Sequence, residues 1–143
     1  MEQHTAEAEA RAPFKCLVAD DSAYARKNIG AIIAQLGGSV VAEASNGQEA
    51  VELYHTLHPD LVLLDITMPV LDGVETLRKI MAEDKTATVV MVSALGHKEM
   101  VWKALCLGAK NFVTKPYSPD YAAMIIKDAV LGRPGGARCA TST

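Results

Sequence analysis

Leu61-Val62-Leu63-Leu64-Asp65 is a run of four aliphatic residues closed by an acid. It has no polar alternation, the mark of a strand buried on both faces, and such strands belong to parallel sheets covered by helices. The same shape recurs on either side. Upstream, Cys16-Leu17-Val18-Ala19 runs into Asp20-Asp21, and Val40 to Ala44 is a second short strand. Downstream, Thr88 to Ser93 carries Val-Val-Met-Val and ends in a hydroxyl, and Asn111 to Thr114 leads into Lys115-Pro116.

Between these strands the apolar period changes to that of a helix. Ser22 is placed to cap a helix reaching Leu36, with Ala25, Ile29, Ile32, Ile33 and Leu36 on one face and Gly37-Gly38 as the stop. Asn46-Gly47 opens a helix bearing Ala50, Val51, Tyr54 and Leu57, closed by Pro59. A loop from Thr67 to Gly73 leads to a helix with Val74, Leu77, Ile80 and Met81. His97 to Leu107 aligns Met100, Val101, Ala104 and Leu107 and ends at Gly108; Cys106 lies within this apolar helix and reads as core. Ser118-Pro119-Asp120 suits the start of a last helix. Five βα units in succession predict an α/β fold, with a parallel five-stranded sheet covered on both faces.

The chain has 143 residues, half of them apolar and 22% charged, which suits one globular domain. Its units occupy residues 14–131. Residues 1–13 form a polar, acidic head and residues 132–143 a Gly/Pro-rich end, both read as flexible tails. A net charge of −3 argues against nucleic-acid binding, which needs a basic surface. There is no apolar run of bilayer length, no polybasic anchor and no signal peptide at the start. Cys16, Cys106 and Cys139 are odd in number and far apart, which argues against a disulfide scaffold and for a reducing, cytoplasmic setting.

In a parallel sheet, ligands bind beyond the carboxyl ends of the strands. Those ends carry Asp20 and Asp21, then Asp65, Ser93 and Lys115. Taken singly, each is ordinary: an acid after a strand is commonly a helix cap, and Lys-Pro is commonly a turn. Taken in order they predict a pocket with three carboxylates, a hydroxyl and an amine. Two like charges 4 Å apart repel by about 4 kcal/mol at an effective dielectric of 20. A hard divalent cation relieves that, and oxygen ligands without His or Cys suit Mg²⁺. The hydroxyl and amine suit phosphoryl oxygens. The chemistry that follows is phosphoryl transfer to a carboxylate.

Asp20-Asp21, Asp65-Ile-Thr-Met68-Pro69-Val-Leu-Asp72-Gly73, Ser93-Ala94, Gly108-Ala109 and Lys115-Pro116 together resemble the receiver domain of two-component response regulators, above all the stand-alone chemotaxis (CheY) type. The resemblance covers roughly Phe14 to Leu131. It implies a flavodoxin-like doubly wound fold with strand order 2-1-3-4-5. It implies that Asp65 accepts the phosphoryl group and that Asp21, Asp65 and the Thr67 carbonyl ligate Mg²⁺, with Asp20 acting through the metal or its waters. Ser93 and Lys115 would hold the phosphoryl oxygens, and Lys115-Pro116 would be cis. Ser93 and Phe112 would form the switch that alters the face of the fourth helix, fifth strand and fifth helix. The protein would be no enzyme beyond its own phosphorylation and dephosphorylation. Its partners would be a sensor histidine kinase, an output protein such as the flagellar motor switch, and a phosphatase, with the protein itself a monomer. The alternatives are a phosphorelay intermediate serving a histidine phosphotransfer protein, or the receiver of a DNA-binding regulator.

Thr67 stands where a more flexible polar residue is common, and Leu95 is apolar; both flank the path of a hydrolytic water, and Leu95 would keep that water away from the phosphoryl group. Trp102, between Val101 and Lys103, is a partner-contact candidate. His55 and His58, three apart on the second helix, could hold a metal, but no third ligand is evident and the pair reads as a solvated face. Neither a P-loop nor a G-x-G-x-x-G turn is present. An Asp-x-Asp motif of the haloacid dehalogenase type is missing too, since the chain has Asp20-Asp21-Ser22.

Overall fold

The computed structural model describes residues 13–94 and 97–132. The expected tails therefore lie almost wholly outside the described residues, as do Leu95 and Cys139. Strand β1 (Lys15–Ala19) is followed by α1 (Ala23–Gln35), β2 (Ser39–Ala44), α2 (Gly47–Leu57) and β3 (Leu61–Asp65). Then come α3 (Gly73–Glu83), β4 (Val89–Ala94), α4 (Lys98–Leu107), β5 (Asn111–Lys115) and α5 (Pro119–Val130). All strand pairs are parallel and the order is β2-β1-β3-β4-β5. The expected α/β, flavodoxin-like topology is the one observed.

Each strand serves two cores by alternation. Leu17, Ala19, Val62, Leu64, Val89 and Met91 face α2, α3 and α4. Cys16, Val18, Leu61, Leu63, Val90 and Val92 face α1 and α5, where Ile29, Ile33 and Ile126 meet them. The helix ends follow their sequence signals. The side chains of Ser22, Asn46, Asp72 and Ser118 accept from the backbone N–H three residues on. Gly108 closes α4 at φ 119°, a conformation that glycine adopts without penalty.

Two expectations fail on α4 and one on α2. The buried residues of α4 are Val101, Ala104 and Leu105, while Leu107 is only half-buried. The helix is turned slightly from the phase the spacing suggests, because 3.6-residue periodicity cannot separate Leu105 from Leu107 near a glycine stop. Cys106 therefore points outward instead of into the core. Leu57, the last residue of α2, is exposed. Among the described residues no helix is long and apolar enough to cross a membrane.

Candidate functional site

The chain winds from β1 outward to β2 and then crosses to β3 on the other side, so the carboxyl ends of β1 and β3 flank the point where strand order reverses. Asp20 and Asp21 follow β1 and Asp65 ends β3. Their carboxylate oxygens lie within 4.8 Å of one another. Asp20 and Asp65 are buried and Asp21 is exposed. Lys115, at the end of β5, reaches back across the sheet edge. Its Nζ lies 2.9 Å from Asp20 Oδ2 and 3.5 Å from Asp65 Oδ2. Residues 95 apart in sequence thus share an ion pair.

The loops hold these groups tightly. The Ser22 N–H donates to Asp20 Oδ1 at 2.9 Å, and the Thr67 N–H donates to Asp65 Oδ1 at 3.2 Å. Gly73 sits so close to β3 that a Cβ there would collide with the Asp65 carbonyl oxygen. Lys115-Pro116 is cis, as the family pattern implied. Val70 is the strained member of the β3–α3 loop. It stands at φ 68°, with the Leu71 N–H donating to the Pro69 carbonyl at 2.7 Å, a tight turn that a β-branched residue enters at a cost.

The electrostatics are those of crowded like charge. Burial pushes the Asp65 carboxyl above its ordinary value and the Asp20 charge pushes it further, with Lys115 and the Thr67 N–H acting against them. Burial works to lower the Lys115 ammonium, but its hydrogen bond to Asp20 and the charges of Asp65 and Asp20 outweigh that and raise it. Lysine neutralises only one of the three carboxylates. The donors are all oxygen, and no imidazole or thiol belongs to the cluster. That set fits a hard divalent cation such as Mg²⁺.

Ser93, the penultimate residue of β4, lies one residue beyond Val92, the register partner of Asp65. It is buried, and its hydroxyl donates to the carbonyl of Ala94 at 3.0 Å. Phe112, opposite Met91, is half-buried against the core shared with α4. Trp102 is 47% exposed on α4, which leaves it free to touch a partner. One contributor escaped the sequence reading. Arg26 donates from Nη1 to the Asp20 carbonyl at 2.6 Å and from Nε to Glu43 Oε1 at 2.7 Å, tying the acidic loop to α1 and β2. An Arg four residues after a cap is commonplace, so no sequence signal marked it.

Residues 16–127 match the family model described as the response regulator receiver domain. The chain belongs to the receiver family. Among curated relatives, the receiver is 50% identical over 107 residues to the chemotaxis protein CheY of Treponema pallidum, covering 73% of this chain and 74% of that one. It is 48% identical to CheY of Listeria monocytogenes, covering 75% of this chain and 90% of the relative. Among solved structures it superposes on CheY of a CheX–CheY–BeF3–Mg²⁺ complex from Borrelia burgdorferi. There the TM-score is 0.75, with 37% identity and coverage of 83% and 87% of the two chains. A two-component response regulator of the LuxR family from Aurantimonas gives a TM-score of 0.81 at 30% identity, covering 87% and 89%. The receiver is thus CheY-like, of a class whose work is phosphorylation-activated signalling between a histidine kinase and an output target.

Proposed function

We propose that the protein is a chemotaxis response regulator in which Asp65 accepts a phosphoryl group from a phosphohistidine of a sensor kinase. The observation that carries this is the buried Asp65 at the end of β3, within 4.8 Å of Asp20 and Asp21 and 3.5 Å from the Lys115 ammonium. An oxygen of Asp65 attacks phosphorus as the P–N bond of the donor breaks. The product is an acyl phosphate, and the imidazole leaves with a proton from solvent. Lys115 gives up part of its pairing with Asp65 and holds a phosphoryl oxygen. Asp20, Asp21, Asp65 and the Thr67 carbonyl would hold Mg²⁺, which when bound offsets negative charge on the transferring group. Beyond this self-phosphorylation and its reversal, helped by a phosphatase, the protein turns nothing over.

Ser93 supplies the switch. Its hydroxyl leaves the Ala94 carbonyl for the phosphoryl group, and the half-buried Phe112 turns into the space released. Phe112 has no hydroxyl, so it acts by packing alone. The output face runs over α4, β5 and α5, where Trp102, Tyr121 and Met124 are exposed. Its partner is the flagellar motor switch, a reading supported by CheY relatives that share half of the aligned residues. The test is capture of a flagellar switch protein by the full chain with Mg²⁺ and beryllofluoride. Binding should need both additives and should fall at least about tenfold in Trp102→Ala. No binding under any of these conditions would remove the motor switch as partner.

A further inference from the structure

His55 and His58 did not find a third ligand in the sequence; the fold supplies one. Glu83, the last residue of α3, lies beside the last turn of α2. Its Oε2 is 2.8 Å from His55 Nδ1 and 3.8 Å from His58 Nε2. We propose that His55, His58 and Glu83 form a second metal site, distinct from the acidic pocket, that takes a borderline first-row divalent cation of the Zn²⁺ class. Two imidazoles and one carboxylate, with open positions for water, are a donor set such ions favour and Mg²⁺ does not.

Three further features point the same way. His58 occupies the cap after α2 in the left-handed conformation, φ 44°, where Gly or Asn would sit with less strain. Its ring is braced edge-on by Tyr54 at 5.4 Å. Tyr54 is itself buried, and its hydroxyl donates to Asp84 Oδ2 at 2.7 Å. Asp84 is occupied by that bond and by Thr86, so it adds negative potential without competing as a ligand. The two histidine rings stand 6.4 Å apart between centroids, while two imidazoles on one tetrahedral ion stand about 5 Å apart. His55 is the most exposed of the three, and ion binding would require rotation about its side-chain torsions to close that gap. The bound ion would pin the end of α2 to the end of α3.

The test is calorimetric titration of the full chain with Zn²⁺, with Mg²⁺ in large excess to fill the acidic pocket, on wild type, His55→Gln, His58→Asn and Glu83→Gln. His58→Asn suits the left-handed cap, so this variant folds. The expected result is one saturable Zn²⁺ per chain, weakened about tenfold or more in each variant. A Zn²⁺-dependent rise in melting temperature should be confined to wild type. Failure of wild type to take up Zn²⁺ saturably, or uptake undiminished in any one of the three variants, overturns the site.

Discussion

The interior of β3 and its carboxyl end are about equally buried, yet opposite physics holds them. Leu61 to Leu64 have no more than 1% exposure and pack within the two apolar cores. Each adds stability by leaving water, at about 25 cal/mol per Å² of apolar surface. Asp65 is 7% exposed and meets two carboxylates and one ammonium. Its burial works against folding and is offset by hydrogen bonds, Lys115 and the cation its pocket fits. One strand therefore carries stability along its length and the proposed acceptor at its tip, and the two can be separated by mutation.

The sharpest way to break that contrast is in the interior. Leu64→Ala should cost about 2–5 kcal/mol in chemical denaturation, because the site cannot collapse between two packed layers. Mg²⁺ affinity should stay unchanged wherever the variant is folded. A loss under about 1 kcal/mol would mean that the interior is not packed as described.

Arg26→Ala probes the seam between the two regions. Its guanidinium is mostly buried, and removal takes the side-chain donor from the Asp20 carbonyl, while the half-exposed Glu43 turns to water. A cost of about 1–2 kcal/mol is expected, together with weaker Mg²⁺ binding, which Leu64→Ala lacks. Val70→Asn works in the other direction. It relieves a β-branched residue at φ 68° and should gain about 1 kcal/mol. Equal melting temperatures for variant and wild type would show that the turn is unstrained.

The smallest effect is in pH. Burial and the Asp20 charge raise the folded-state pKa of Asp65 above its ordinary value of 3.8. The folded state therefore holds this proton more tightly than the unfolded state, and stability is lost as pH rises from about 3.8 through the raised value. Without Mg²⁺, Asp65→Asn should be more stable than wild type at neutral pH, and the gap should close as pH falls toward 4. A gap independent of pH would assign the effect to something other than ionisation.

The fold was legible because its signals are local. The unbroken Leu61–Leu64 run, the capping residues Ser22, Asn46 and Ser118, and the helix stops at Gly37 and Gly108 each act within a few residues of themselves. The site was legible for a different reason: a parallel sheet converts the order of strand ends into a spatial cluster, so Asp20, Asp65 and Lys115 meet as the spacing implies. What stayed hidden depends on side-chain reach between elements. Arg26 meets Glu43 across 17 positions, and His55 meets Glu83 across 28. No periodicity encodes either contact. The phase of α4 was lost because Leu105 and Leu107 are equally apolar and only the packing against α3 and the sheet decides between them.

The measurement that bears most directly on the role of Asp65 is intact mass after incubation with acetyl phosphate, with and without Mg²⁺, on wild type and Asp65→Asn. A single gain of about 80 Da is expected, the mass of one phosphoryl group. It should depend on Mg²⁺ and be absent from Asp65→Asn. A gain of the same size in Asp65→Asn, or one indifferent to Mg²⁺, would contradict the assignment of Asp65 as the acceptor in a cation-dependent pocket.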